Sequence, residues 1–345
     1  MKKSILILTL FTITKMVSAQ APFSLVEGQS AIVYSLPKTE FCIEIQSEKV
    51  SQKQGVFYRY SERYLATNKI IAEDKTTYRL KSISVSTRAI PDQKRTFNVI
   101  PNKELCNSNI AVNSAGLLCG VNVSSQTDVL PSKSIIFPTI NYSSPALLPL
   151  GEEYMMAGSE AKLAEGAAKQ IYRIRESRLG LLTSDLEKVP ADGASFKSML
   201  DGLTKLETEL TELFIGKTST ELQVQNIIIT PDSALVNHVL FRFSGLKGVV
   251  ASNDLSGVPY FISFKPTTIN STSPDAKVKT EKAGIFTLLP ASTLVTIDDG
   301  VNEYFSNQYF VPQFGKLIPI AENLFKKNKL KVQVDVKTGR LLSIE

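Results

Sequence analysis

A single histidine, His238, serves a chain of 345 residues, and this bounds the chemistry before any fold is considered. A metal site with two or more histidine ligands cannot be assembled within one chain, which removes the zincin helix and the two-histidine iron centre. A Ser-His-Asp or Cys-His relay would have to recruit His238. In residues 236–243 that histidine shares a strand face with Leu240 and Arg242, and no G-x-S-x-G turn accompanies it. Neither a Walker A loop nor G-x-G-x-x-G occurs, so nucleotide chemistry has no support. Carboxylates alone can hydrolyse glycosides, and Glu152/Glu153, Glu207/Glu209 and Asp298/Asp299 are the candidate pairs. Their surroundings read as helix faces and turns. Asp298, Asp299, Asn302 and Glu303 offer oxygens to calcium, but their spacing misses the EF-hand loop and fits an Asp-Gly turn. We expect no catalytic residue, no cofactor and no metal.

Arginines and tyrosines carry more promise. Ala157, Ala161, Ala164, Ala168 and Ile171 recur at the spacing of one helix seam, and Arg175 and Arg178 continue it. Two guanidinium forks on one face suit an anionic group, such as a sugar acid or a partner's carboxylate. The structural alternative is an internal pair with Asp201 or Glu207 on a facing helix. Tyr58, Tyr60 and Tyr64 form a second candidate surface, interleaved with Arg59 and Arg63. Such aromatics stack on sugar rings or peptides, or else anchor a short helix to a sheet. The candidate ligand-binding residues are therefore Arg175, Arg178, Tyr58, Tyr60 and Tyr64.

The elements that position them follow from periodicity. Residues 150–216 are the one long helical pattern: a small-residue arm, a turn ending in Asp192 as N-cap, and a second arm ending at Gly216. On the second arm Phe196, Met199, Leu203, Leu206, Leu210 and Leu213 form a continuous seam. Residues 55–66 suggest a short amphipathic helix. The rest reads as strands. Residues 31–36 and 39–46 are divided by Pro37, and 78–88 and 96–100 by a turn at Ile90-Pro91-Asp92. Later strands are expected at 223–229, 239–243, 260–264, 284–289, 294–297 and 331–336, with a final hairpin across Lys337-Thr338-Gly339. The fold class is α+β: two β-rich parts, sandwich-like or small sheets, flanking a central antiparallel helical hairpin. The expected divisions are 20–149, 150–216 and 217–345.

Residues 1–19 read as a signal peptide. Lys2 and Lys3 precede a short apolar run, and Val17-Ser18-Ala19 presents small residues for cleavage after Ala19. The formal net charge is +6, and this leader holds Lys2, Lys3 and Lys15 and no acid, so half of that charge leaves with it. A nucleic-acid partner then has no compositional support. No later segment approaches a membrane-spanning apolar run, so no transmembrane span is expected in the mature chain. Three cysteines in an exported chain invite one disulfide. Cys106 and Cys119 flank an Asn/Ser-rich loop whose closure would stabilise by roughly 3 kcal/mol, although spacing alone leaves the pairing with Cys42 open.

Several sequence words then occur in order: YSLPKT (34–39), YRYSERYL (58–65), EEYMMAGSEAKLAEGAAKQIYRIRESRLGLL (152–182), PADG (190–193), LFIGKT (213–218), LFRFS (240–244), LSGVPY (255–260), QFG (313–315) and DVKTGRL (335–341). Together they resemble domain of unknown function family 4831, exported proteins characteristic of Bacteroidetes. The resemblance implies a cell-envelope protein, in the periplasm or on the outer surface, and supplies no activity. Asp232-Ser233-Ala234 is similar to the tripeptide O-glycosylated on exported proteins of that phylum, which makes Ser233 a candidate site. The expected role is a non-catalytic binding or assembly component, with other envelope proteins or glycans as partners. The alternative is a histidine-independent carboxylate hydrolase acting on glycans or peptides.

Overall fold

The computed structural model describes residues 23–26, 29–99, 109–125, 152, 156, 158–183, 192–267, 283–321, 324–325 and 330–345. The signal peptide with its cleavage site, Cys106, and Ala157 lie outside these residues. Alternation drives the longest element, β2 (Gln29–Lys53): Phe41, Ile43 and Ile45 are fully buried, while Cys42, Glu44 and Gln46 occupy the other face. Beside β2 run β1 (Phe23–Val26), β3 (Lys75–Val99) and β6 (Lys217–Ile229), all antiparallel to it. β6 lies beyond the helices in sequence, so this sheet joins segments from both sides of them.

The breaks expected at Pro37 and Pro91 do not occur. Both prolines sit inside one continuous ladder, paired with each other. Residues 92–95 stand opposite Leu36 alone, between the pairs Ser35–Thr96 and Pro37–Pro91. The missing N–H groups therefore fall at a bulge, where no ladder bond is lost.

Two further antiparallel sheets complete the β structure of the described residues. One runs β11 (Glu303–Ala321), β10 (Ala283–Asp298), β9 (Val258–Pro266), β7 (Leu235–Ser244), β8 (Gly248–Val250). The other runs β13 (Leu341–Ile344), β12 (Val332–Val334), β5 (Leu118–Val121), β4 (Ile110–Val112). The chain is thus mixed, with strands outweighing helices and arranged in several small antiparallel sheets. The β11 strand has no counterpart among the sequence expectations, and 284–289 and 294–297 merge into β10 across a register shift at Pro290. Among the described residues no helix is long and apolar enough to cross a membrane.

β2 feeds two cores. Phe41, Ile43 and Ile45 meet Phe241, Ile262, Phe264 and Val295 of the five-stranded sheet, with the Phe41 and Phe264 rings 4.9 Å apart. Nearer its start, Tyr34 and Leu36 meet Leu118, Val121, Val332 and Leu288. Buried polar groups fasten the layers. The Tyr34 hydroxyl accepts from the Phe286 amide at 2.8 Å. The Gln313 side chain accepts from Thr39 N and donates to Thr39 O, both at 2.9 Å, as a neighbouring strand would. Arg95, itself buried, donates to Pro312 O at 2.9 Å.

Burial pushes the Tyr34 phenol above its ordinary value of 10.0, partly opposed by its bond to Phe286. A raised folded pKa means that the fold favours the protonated phenol. Its stabilisation is complete below pH 10 and is lost as pH rises through the folded value. Tyr34→Phe should cost about 1–3 kcal/mol near neutrality, because the buried Phe286 N–H is left without a partner. It should also make the alkaline fall in stability shallower, as read by denaturant titration at a series of pH values.

Candidate functional site

Helix α2 (Glu160–Thr183) owes its close packing to small residues. Ala164, Ala167, Ala168, Ile171, Ile174 and Leu181 are buried, in two rows rather than the single seam expected. Ala167 and Ile174 belong to the helical core, and Leu181, also buried, continues their row. Arg175 and Arg178 therefore do not interrupt it; they end the other row at its solvent edge, with side chains 43% and 35% exposed.

Helix α3 (Gly193–Ile215) is capped by Asp192, which accepts from Ser195 N at 2.7 Å. Leu210 and Phe214 are its buried contacts, whereas Met199 of the expected seam is exposed. Gly216 ends the helix with φ near +90°, and a Cβ there would lie 2.5 Å from Lys53 O.

The tyrosine segment is a strap across these helices. A 3-10 turn (Tyr58–Tyr60) leads into α1 (Ser61–Leu65), which Ala66 ends in the left-handed region. Phe57 enters the helical core, its N–H bonded to Leu213 O at 2.7 Å and its ring 5.5 Å from Phe214. The anchoring partner is thus the helix pair and not a sheet as expected, with Tyr60 and Tyr64 packed on the small-residue helical core.

The two candidate sets, distant in sequence, form one surface. Tyr172 joins them: its hydroxyl donates to Tyr64 O at 2.7 Å, and the Arg175 guanidinium lies 5.6 Å from its ring centre. Arg63 covers Tyr64 at 5.4 Å and Arg59 covers Tyr58 at 5.5 Å. Arg175 Nε donates to Glu207 Oε1 at 2.7 Å. Arg178 Nη1 lies 2.6 Å from Glu207 Oε2, yet that buried oxygen has no aligned hydrogen bond. It is served by charge alone. Of the two internal acids weighed from sequence, Glu207 is the one engaged. These arginines border an open groove of about 470 Å³ whose lining includes Thr204, Thr208 and Thr211. Sequence reasoning passed over Tyr172; its signal was the i,i+3 spacing to Arg175 on a helix.

The other candidates stand apart from this surface. His238 is exposed on β7 at a register shift, opposite Ile262. Ser233 is exposed in the turn between β6 and β7, beside Asp232, which pairs with Lys38 at 2.5 Å. Asp298 accepts from Gly300 N at 3.0 Å, and Asp299 accepts from Val301 N, Asn302 N and the Tyr304 hydroxyl. These bonds from the backbone hold Asp299 down at about 2. Glu165, Asp192, Asp232 and Asp254 are likewise held low by the donors around them. A general acid needs the opposite shift. Cys119 is buried in β5 and directs its thiol to Leu117 O at 3.7 Å, while Cys42 is half-buried on β2. Cys119's expected partner, Cys106, falls outside the described residues.

A family model described as Domain of unknown function (DUF4831) matches residues 30–342. No curated protein and no solved structure is significantly similar to the chain.

The Arg175–Glu207–Arg178 group generates a test. Glu207→Gln should lower stability by about 1 kcal/mol, since the arginines are partly solvated and their pairing is screened. A double-mutant cycle with Arg175→Ala, run at low and high salt, should give a coupling that shrinks as salt rises. A coupling of zero at low salt would mean that the contact contributes nothing to folding.

Proposed function

Because the chain belongs to the DUF4831 family, whose description carries no activity, we propose a function from its surface: a non-catalytic binding component of the cell envelope. The observation that carries the reading is the junction at Tyr172, which makes one Arg/Tyr strip out of Tyr58, Tyr60, Tyr64, Arg175 and Arg178. Guanidinium groups set against aromatic rings form a surface for the anionic groups of a partner. The partners in this reading are envelope proteins or glycans.

The leader at 1–19 supports export, with cleavage after Ala19 and residence in the periplasm or on the outer surface of a Bacteroidetes cell. The exposure of Ser233 beside Pro231 suits O-glycosylation, and Cys106–Cys119 remains the proposed disulfide. The helices are read as an antiparallel hairpin between the β-rich parts. In support, Leu210 and Phe214 share a core with Ala164 and Ala168, while Glu207 meets Arg175 and Arg178.

Affinity capture from native envelope, with glycan-array binding in parallel, tests the role. Wild-type protein should retain a defined partner, and the folded Arg175→Ala/Arg178→Ala variant should retain markedly less. Equal capture by both proteins would remove this strip as the binding surface.

A further inference from the structure

Each of three tyrosines on the strip is covered by an arginine: Tyr58 by Arg59, Tyr64 by Arg63 and Tyr172 by Arg175. The body of Tyr64 packs on the helical core. A ring face beneath a guanidinium is not offered to a sugar ring, so stacking on these tyrosines is not what the surface presents. It presents the guanidinium groups themselves, laid on aromatic platforms that limit their rotamers. Arg59 is fixed further by donating Nε to the Tyr58 hydroxyl at 3.0 Å.

Glu207 displays what such groups do with a carboxylate, holding Arg175 at 2.7 Å and Arg178 at 2.6 Å. Arg59 and Arg63 are exposed and make no ion pair among the described residues. They are the same chemical device without a carboxylate bonded to it, although Glu160 lies within electrostatic reach of Arg59.

We propose that Arg59 and Arg63, laid on Tyr58 and Tyr64, receive the acidic groups of a carboxylated polysaccharide, with Arg175 and Arg178 continuing the track. This deepens the binding reading above and rests on it. A guanidinium presents five donors in a fork that matches carboxylate geometry, and a pre-oriented fork loses less entropy on binding. An acidic peptide fits less well. Acidic motifs also engage arginine clusters, but peptides are commonly held in addition by free strand edges or apolar anchor grooves, and this strip lies on helical segments whose backbone groups are largely bonded within them. A glycan also brings hydroxyls. Thr204 and Thr208 in the adjoining groove donate to their own helix at 2.8 Å, leaving their oxygens to accept from such hydroxyls.

The test is calorimetric titration of the full chain with polygalacturonate, neutral dextran and polyglutamate at low and high salt. Polygalacturonate should bind, weaken with salt and exceed polyglutamate, and dextran should not bind. Arg59→Ala/Arg63→Ala should lower the affinity at least about ten-fold, the loss expected for charge-assisted contacts. Arg59→Lys/Arg63→Lys should fall between that variant and wild type, because charge is kept and the fork is lost. Both sites are exposed, so an unchanged melting temperature confirms the fold of each variant. Wild-type affinity in the alanine variant, full rescue by lysine, or equal binding of polyglutamate would each overturn the proposal. If polygalacturonate fails while Arg175- and Arg178-dependent capture from envelope persists, this inference falls and the binding reading stands. If both fail, both fall.

Discussion

β2 is longer than any single neighbour on one of its sides, and its buried peptide groups must still be satisfied. β3 serves one side along almost the whole strand. The other side is served in relay: β1 as far as Ile32, Gly116 O for the Ser35 amide at 2.9 Å, the Gln313 side chain at Thr39, and β6 from Phe41 to Lys53. Four unrelated parts of the chain thus converge on one edge. Because β2 also supplies the two larger β cores, a fault in any relay member reaches the packing of the others.

The helical pair depends on this strand through its end. Gly216 lets the chain leave α3 and enter β6 directly against Lys53, the last residue of β2. Gly55, two residues beyond, approaches Leu213 so closely that a Cβ would lie 2.5 Å from its carbonyl oxygen. Two close backbone approaches therefore hold strap, helix and strand together, and the Arg/Tyr strip inherits its geometry from them. The strip's rigidity comes from below, in the small-residue core of α2, while its charges remain in solvent.

Legibility in the sequence followed the range of the interaction. Local signals were readable: the alternation at 41–46, the Asp192 cap and the terminal glycine of α3 each depend on neighbours a few residues away. The prolines misled because what admits them is a bulge made with a distant strand. β11 was hidden for a related reason, since Pro312 and Gly315 punctuate it while β10 sustains it from across the sheet. At the candidate site, residue types singled out the arginines and tyrosines that the fold brings onto one surface. Their union was invisible, because it rests on Tyr172, an ordinary surface residue in pattern, and on Tyr64 of a strap 108 residues earlier in the chain.

The relay along β2 also sets an order of events in folding. Phe41 must wait for Ile229, and Tyr34 for Phe286, before either is enclosed. The smallest sheet closes only with Leu341–Ile344, at the far end of the chain. Contacts so distant in sequence pay loop-closure entropy early and are rewarded late, which slows folding and prolongs exposure of apolar strands. The pairings nearest in sequence are those of α2 with α3 and of the hairpins β4–β5, β7–β8 and β10–β11, which makes them the natural early units, while the strap and the long edge of β2 join them later.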